Sequence, residues 1–151
     1  MVFRKMLLCY DGTRESHAAL RRGAELARGC SATVHLLAVV RTSATSIVGE
    51  SLSSDAPFVE QTRQTEEILK EGIAQLGALG LKAQGHVVLG EPIDEIARAA
   101  QALEVDLIVL GHHTKSGFAR WWQGSVGESL LDRSHCSILI CIENPPPKAG
   151  S

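Results

Sequence analysis

The stretch Asp106–Gly111, DLIVLG, decides the fold. After its leading aspartate it is apolar without interruption, too short for a free-standing helix and rich in branched aliphatic side chains, and it ends on glycine. A strand with one face in water alternates apolar and polar residues, whereas a strand covered on both faces does not need to. The run HLLAVV within Val34–Val40 has the same character. Met6–Tyr10, Lys82–Leu89 and Ser137–Ile142 read as three more short strands. Between these runs apolar residues recur at helical spacing: Leu20, Ala24 and Ala27; Ile68, Leu69, Ile73, Leu76 and Leu79; Ile93, Ile96, Ala97, Ala100 and Leu103; Val126, Leu130 and Leu131. Strand and helix alternate, and right-handed crossovers between parallel strands place helices on both faces. The pattern predicts an α/β fold, a doubly wound parallel sheet of five strands.

In such sheets ligands sit beyond the carboxyl ends of the strands, where the winding direction reverses. That places interest on Asp11-Gly12-Thr13 after the first strand and on LGHHTKSGFARWWQGSVGESLL, Leu110–Leu131, after the fourth. The second segment is punctuated by glycine and opens a helix on Gly124-Ser125. Exposed amides at a helix start carry partial positive charge, so a segment of this kind can hold an anion. Arg41–Pro57, rich in Ser and Thr, reads as a mobile cover after strand two. Asn144–Ser151, with three consecutive prolines, cannot continue a ladder and reads as a flexible tail.

The chain of 151 residues, 44% of them hydrophobic, fits one domain spanning 1–151 with a core that needs no disulfide or metal. Fifteen Lys and Arg against seventeen Asp and Glu give a formal charge of -2, which gathers neither nucleic acid nor anionic lipid. Cys9, Cys30, Cys136 and Cys141 form no C-x-x-C pair, and three fall in apolar runs, as in a reducing compartment. No run approaches transmembrane length, and the apolar stretch before Asp11 is too short for a signal peptide. A cytoplasmic protein without membrane or nucleic-acid partners is expected.

Gly111, Thr114 and Gly124-Ser125 follow the spacing G-x2-G-x9-G-[ST], with Thr114 where the second glycine belongs. This resembles the nucleotide-binding signature of the universal stress protein family. MLLCYDGT at Met6–Thr13, GEPIDEIARAA at Gly90–Ala100, DLIVLG, and SHCSILICIE at Ser134–Glu143 are similar to the corresponding family segments, so the resemblance covers nearly the whole chain. It implies strand order 3-2-1-4-5, frequent dimerisation and, in one branch, ATP at the ends of strands one and four. In that branch the acid matching Asp11 bonds the adenosine end, and Cys9 and Val39 match positions whose backbone lies beside adenine.

Several of these residues also have a plainer role. Gly124, Ser125 and Val126 would present successive N–H groups to phosphate, with the Ser125 hydroxyl as a further donor or a magnesium ligand; Ser125 is equally a good helix cap. Gly111 would let the backbone approach ribose and phosphate. Thr114 is a departure, since a β-branched residue forced to positive φ stores about 1–3 kcal/mol; Gly117 offers another flexible point. Asp11 either contacts adenosine or caps helix one. Lys115 and Arg120 either neutralise phosphate or are solvated. One of Trp121 and Trp122 would pack and the other anchor a partner. His112-His113 lack a third ligand for zinc.

No nucleophile and base are placed together by the sequence, so efficient catalysis is not expected; slow ATP hydrolysis is the most that bound nucleotide would allow. The favoured reading is a stress-response module that binds ATP, with or without Mg2+, and changes its contacts with an unidentified protein partner on occupancy. The alternative is a dimeric interaction protein of the same fold with a degenerate, non-nucleotide-binding site. In the order 3-2-1-4-5 strand five is an edge, and its run Ile138–Ile142 is apolar, which predicts a homodimer through that edge.

Overall fold

The computed structural model describes residues 2–41, 56–111 and 130–142. Along the chain run β1 (Lys5–Cys9), α1 (Arg14–Cys30), β2 (Thr33–Arg41), α2 (Ala56–Ala78), β3 (Ala83–Gly90), α3 (Pro92–Ala102), β4 (Leu107–Gly111), α4 (Leu130–Arg133) and β5 (Ser137–Cys141). The strands form one five-stranded sheet in the order β3-β2-β1-β4-β5, and every pairing is parallel. Met6 stands opposite Val34 on one side and Leu107 on the other, so the most apolar strands occupy the centre.

Alternation along the strands divides the core between the two faces. Met6, Leu8, Val34, Leu36, Leu107 and Val109 meet α1 and α2 through Leu20, Ala24, Ala27 and Leu76. Leu7, Cys9, Leu37, Ile108 and Leu110 meet α3 and α4 through Ile96, Ala100 and Leu130. Both faces of β1 and β4 are therefore dry, which is why their sequences do not alternate. The edge strands β3 and β5 are only partly covered.

The amino ends of β1, β4 and β5 are tied by one residue, Asp106. The Asp106 carboxylate accepts from the backbone N–H of Arg4 at 2.8 Å and of Lys5 at 3.2 Å. The Asp106 N–H donates to the Lys5 carbonyl at 2.9 Å, and its carbonyl accepts from Ser137 N at 3.3 Å. This aspartate thus joins β1, β4 and β5 before their ladders begin. No described helix is long and apolar enough to cross a membrane.

Candidate functional site at the carboxyl ends of β1 and β4

The sheet reverses its winding at β1, which pairs with β2 on one side and β4 on the other. Tyr10 extends the β1 ladder by donating its N–H to the Leu37 carbonyl at 2.9 Å. The chain then turns sharply. Gly12 adopts φ +79°, a conformation that a side chain disfavours. The Asp11 Oδ1 accepts from Thr13 N at 3.0 Å and from Thr13 Oγ1 at 2.5 Å.

Thr13 is the cap of α1: its side chain accepts from Ser16 N at 3.3 Å. The sequence left Asp11 between adenosine contact and capping; the cap is Thr13, not Asp11. Asp11 lies too early to cap the helix and instead holds the cap residue in place, as Asx turns do. Ser16 closes the turn, donating to the Thr13 carbonyl at 2.9 Å and accepting from Asp11 N at 3.4 Å.

Gly111 ends β4 opposite Cys141, and its surroundings explain the residue. A Cβ at this position would stand 2.5 Å from the Glu15 carbonyl oxygen and 2.7 Å from its carbon. The end of β4 therefore lies directly against the first turn of α1, and only glycine permits that approach. Sequence reading gave Gly111 to the ligand alone; the first contact it admits is with the protein's own backbone. Asp11 and Gly111 converge on one turn, through Ser16 and Glu15 respectively.

Cys9 is buried at the last position of β1. Burial, reinforced by the nearby Asp11 charge, pushes its thiol far above the ordinary value, so it packs as a small neutral group and not as a nucleophile. Val39 is half-buried on β2, opposite Val88 of β3 and beyond Leu37, the partner of Cys9. It flanks the end of β1 on the side away from β4. Thr114, Lys115, Gly124, Ser125 and Val126 lie outside the described residues, as do Arg120, the two tryptophans, His112-His113 and residues 42–55 of the segment after β2. Among the described residues no group of three or more His, Cys, Asp or Glu could hold a metal.

Beside the turn stands a polar cluster that sequence reading missed. The Tyr10 hydroxyl lies 3.1 Å from His17 Nε2, and His17 Nδ1 lies 3.0 Å from Gln75 Oε1 of α2. Burial, then the Glu71 charge, pushes the Tyr10 phenol up to about 12. The capping role of Thr13 was missed as well, although a Thr just before Arg14-Glu15 is a readable cap signal. The approach of Glu15 to Gly111 has no local signal, because it joins distant parts of the chain.

Comparison with known proteins adds to this geometry. Residues 3–141 match the universal stress protein family. The universal stress protein YxiE of Bacillus subtilis is 31% identical over 148 residues, which cover 92% of this chain and 99% of that protein. Among solved structures, a universal stress protein in complex with cAMP superposes with a TM-score of 0.67 at 19% identity, covering 93% of this chain and 97% of that one. The universal stress protein of Archaeoglobus fulgidus in complex with dAMP gives 0.66 at 15% identity, covering 93% and 99%.

Proposed function

Because the chain belongs to the universal stress protein family, we propose that it is a cytoplasmic single-domain regulatory module that binds an adenine nucleotide, ATP with or without Mg2+, at the carboxyl ends of β1 and β4. The observation that carries the reading is the meeting of these two strand ends at one ordered turn, with Asp11 held by Thr13 and the end of β4 laid against Glu15. It lies where the winding reverses, the place open α/β sheets reserve for ligands. Two structural neighbours carry cAMP and dAMP, ligands that share the adenine base with ATP. In this reading Cys9 and Val39 line the adenine side, Asp11 takes the adenosine end, and Gly111, Thr114, Lys115, Gly124, Ser125 and Val126 surround the phosphates. Occupancy and not turnover is the signal in this reading. The experiment is to heat-denature the purified protein and chromatograph the supernatant. Adenine nucleotide released in proportion to protein supports the reading, and its absence, together with failure to take up added ATP, ends it.

A second reading rests on Thr114, which stands where the signature has glycine: a dimeric interaction protein whose site has lost its ligand. Thr114→Gly separates the two. In a working site it strengthens ATP binding by relieving strain, whereas in a degenerate site it creates affinity that the native chain lacks. Both readings share a homodimer through β5, an open sheet edge whose Leu139, Ile140 and Ile142 are exposed. Light scattering at micromolar concentration tests it. Ile140→Pro, which deletes an amide in mid-strand, shifts a true dimer towards monomer.

A further inference from the structure

His35 and His86 take no part in the nucleotide reading. They are diagonal neighbours across β2 and β3, in a register that sets His35 opposite Gln84 and Leu37 opposite His86. His35 Nδ1 lies 3.1 Å from His86 Nε2, with ring centroids 5.2 Å apart and planes inclined by 38°. His35 is buried, only 6% exposed, whereas His86 is half-buried on an edge strand. Alternation puts His35 on the same face as Leu37, the face that α3 covers.

At this separation the contact is a hydrogen bond only when one facing nitrogen carries a hydrogen and the other is bare. The neutral pair meets that condition. So does the pair with one extra proton, since His35 Nε2 or His86 Nδ1 can take it. A second proton fills both facing nitrogens and turns the bond into repulsion between cations. Burial, then His86, then Lys5 on β1 oppose charge on His35 and hold its imidazolium below the usual histidine range. The carboxylates of α3 do not offset them: Asp94 pairs with Arg133 and Glu95 with Arg98. Nitrogens so placed would also suit a divalent ion, but no third ligand converges among the described residues, and Lys5 repels a cation.

We propose that the His35–His86 bond is an acid-sensitive clasp that fastens edge strand β3 to β2 at neutral pH and releases it when both rings are protonated. Because the folded protein holds His35 below its unfolded value, the clasp's contribution is complete above the ordinary histidine range and is lost as pH falls below it. Release is local: β3 and the α2 segment packed on it open before the central strands, which are dry on both faces.

Hydrogen exchange tests the clasp. The protection of β3 amides, divided by that of Leu7 and Leu8 and corrected for intrinsic rates, is measured at about pH 7.5 and at about pH 5, a span that crosses the histidine titration. The ratio falls several-fold on acidification in the native chain and by a distinctly smaller factor in His86→Gln, whose amide can still bond His35 but gains no charge. If that variant does not fold, His35→Gln is read in the same way. A ratio that does not change with pH in the native chain, or that changes equally in the glutamine variant, overturns the proposal.

Discussion

At the amino ends of the strands Asp106 accepts from the N–H groups of Arg4 and Lys5, and its own backbone bridges β1 to β5. At the carboxyl ends Asp11 accepts from the N–H and hydroxyl of Thr13. The two aspartates use the same chemistry for different ends. Asp106 gathers the starts of neighbouring strands and thereby sets their register. Asp11 shapes a single turn, so that the start of α1 faces the end of β4 at a place where the sheet ladder has stopped. One end of the sheet is closed by its own backbone, and the other is shaped around the capped first turn of α1.

The largest expected effect comes at the carboxyl end. Gly111→Ala would place a methyl group within 2.5 Å of the Glu15 carbonyl oxygen, and backbone on both sides leaves little room to yield. Urea unfolding should show a loss of about 1–3 kcal/mol, accompanied by weaker nucleotide binding because β4 and α1 must part. Asp106→Ala makes the contrasting case. It leaves the Arg4 and Lys5 amides without their carboxylate and should lower stability by about 1–2 kcal/mol, while nucleotide affinity stays as in the native chain. Equal losses of affinity in both variants would erase the distinction between the two ends.

A smaller effect tests the electrostatics beside the turn. Tyr10 is the chain's only tyrosine, so its absorbance titration is read without overlap. Burial, then Glu71, raise the phenol to about 12, and the tyrosinate midpoint should lie above that of free tyrosine and fall in Glu71→Gln. Because the folded value exceeds the unfolded one, the associated stability is complete below the free-tyrosine range and lost as pH rises through the folded value. The smallest effect belongs to the amino end. Glu104, just past α3, adopts φ +55°, and Glu104→Gly should stabilise the protein by about 0.5 kcal/mol in the same urea assay, strain relief exceeding the added chain entropy.

The fold was legible because its evidence is local and repeated. DLIVLG and HLLAVV carry no polar alternation, and the strands they announced lie within a residue or two of where they were placed. The strand order followed from resemblance and is the order observed. The site was legible only in part. Asp11 and Gly111 were picked out by position and spacing, yet their contacts, with Thr13 and with the Glu15 carbonyl, were not, since spacing says nothing of what a residue touches in the fold. The His35–His86 contact and the Tyr10–His17 cluster were invisible for the same reason: each joins strands or helices whose register is set only when the sheet assembles.

The adenine-nucleotide site proposed at the carboxyl ends of β1 and β4 is open to direct measurement. Titration calorimetry of ATP into the native chain and into Gly124→Val tests it most directly, with the unfolding midpoint of each recorded alongside. The account predicts saturable binding at one nucleotide per chain in the native protein and none in the variant, at matching midpoints. No saturable binding of ATP, ADP, AMP or cAMP to the native chain, or equal ATP affinity in the two proteins, would contradict it.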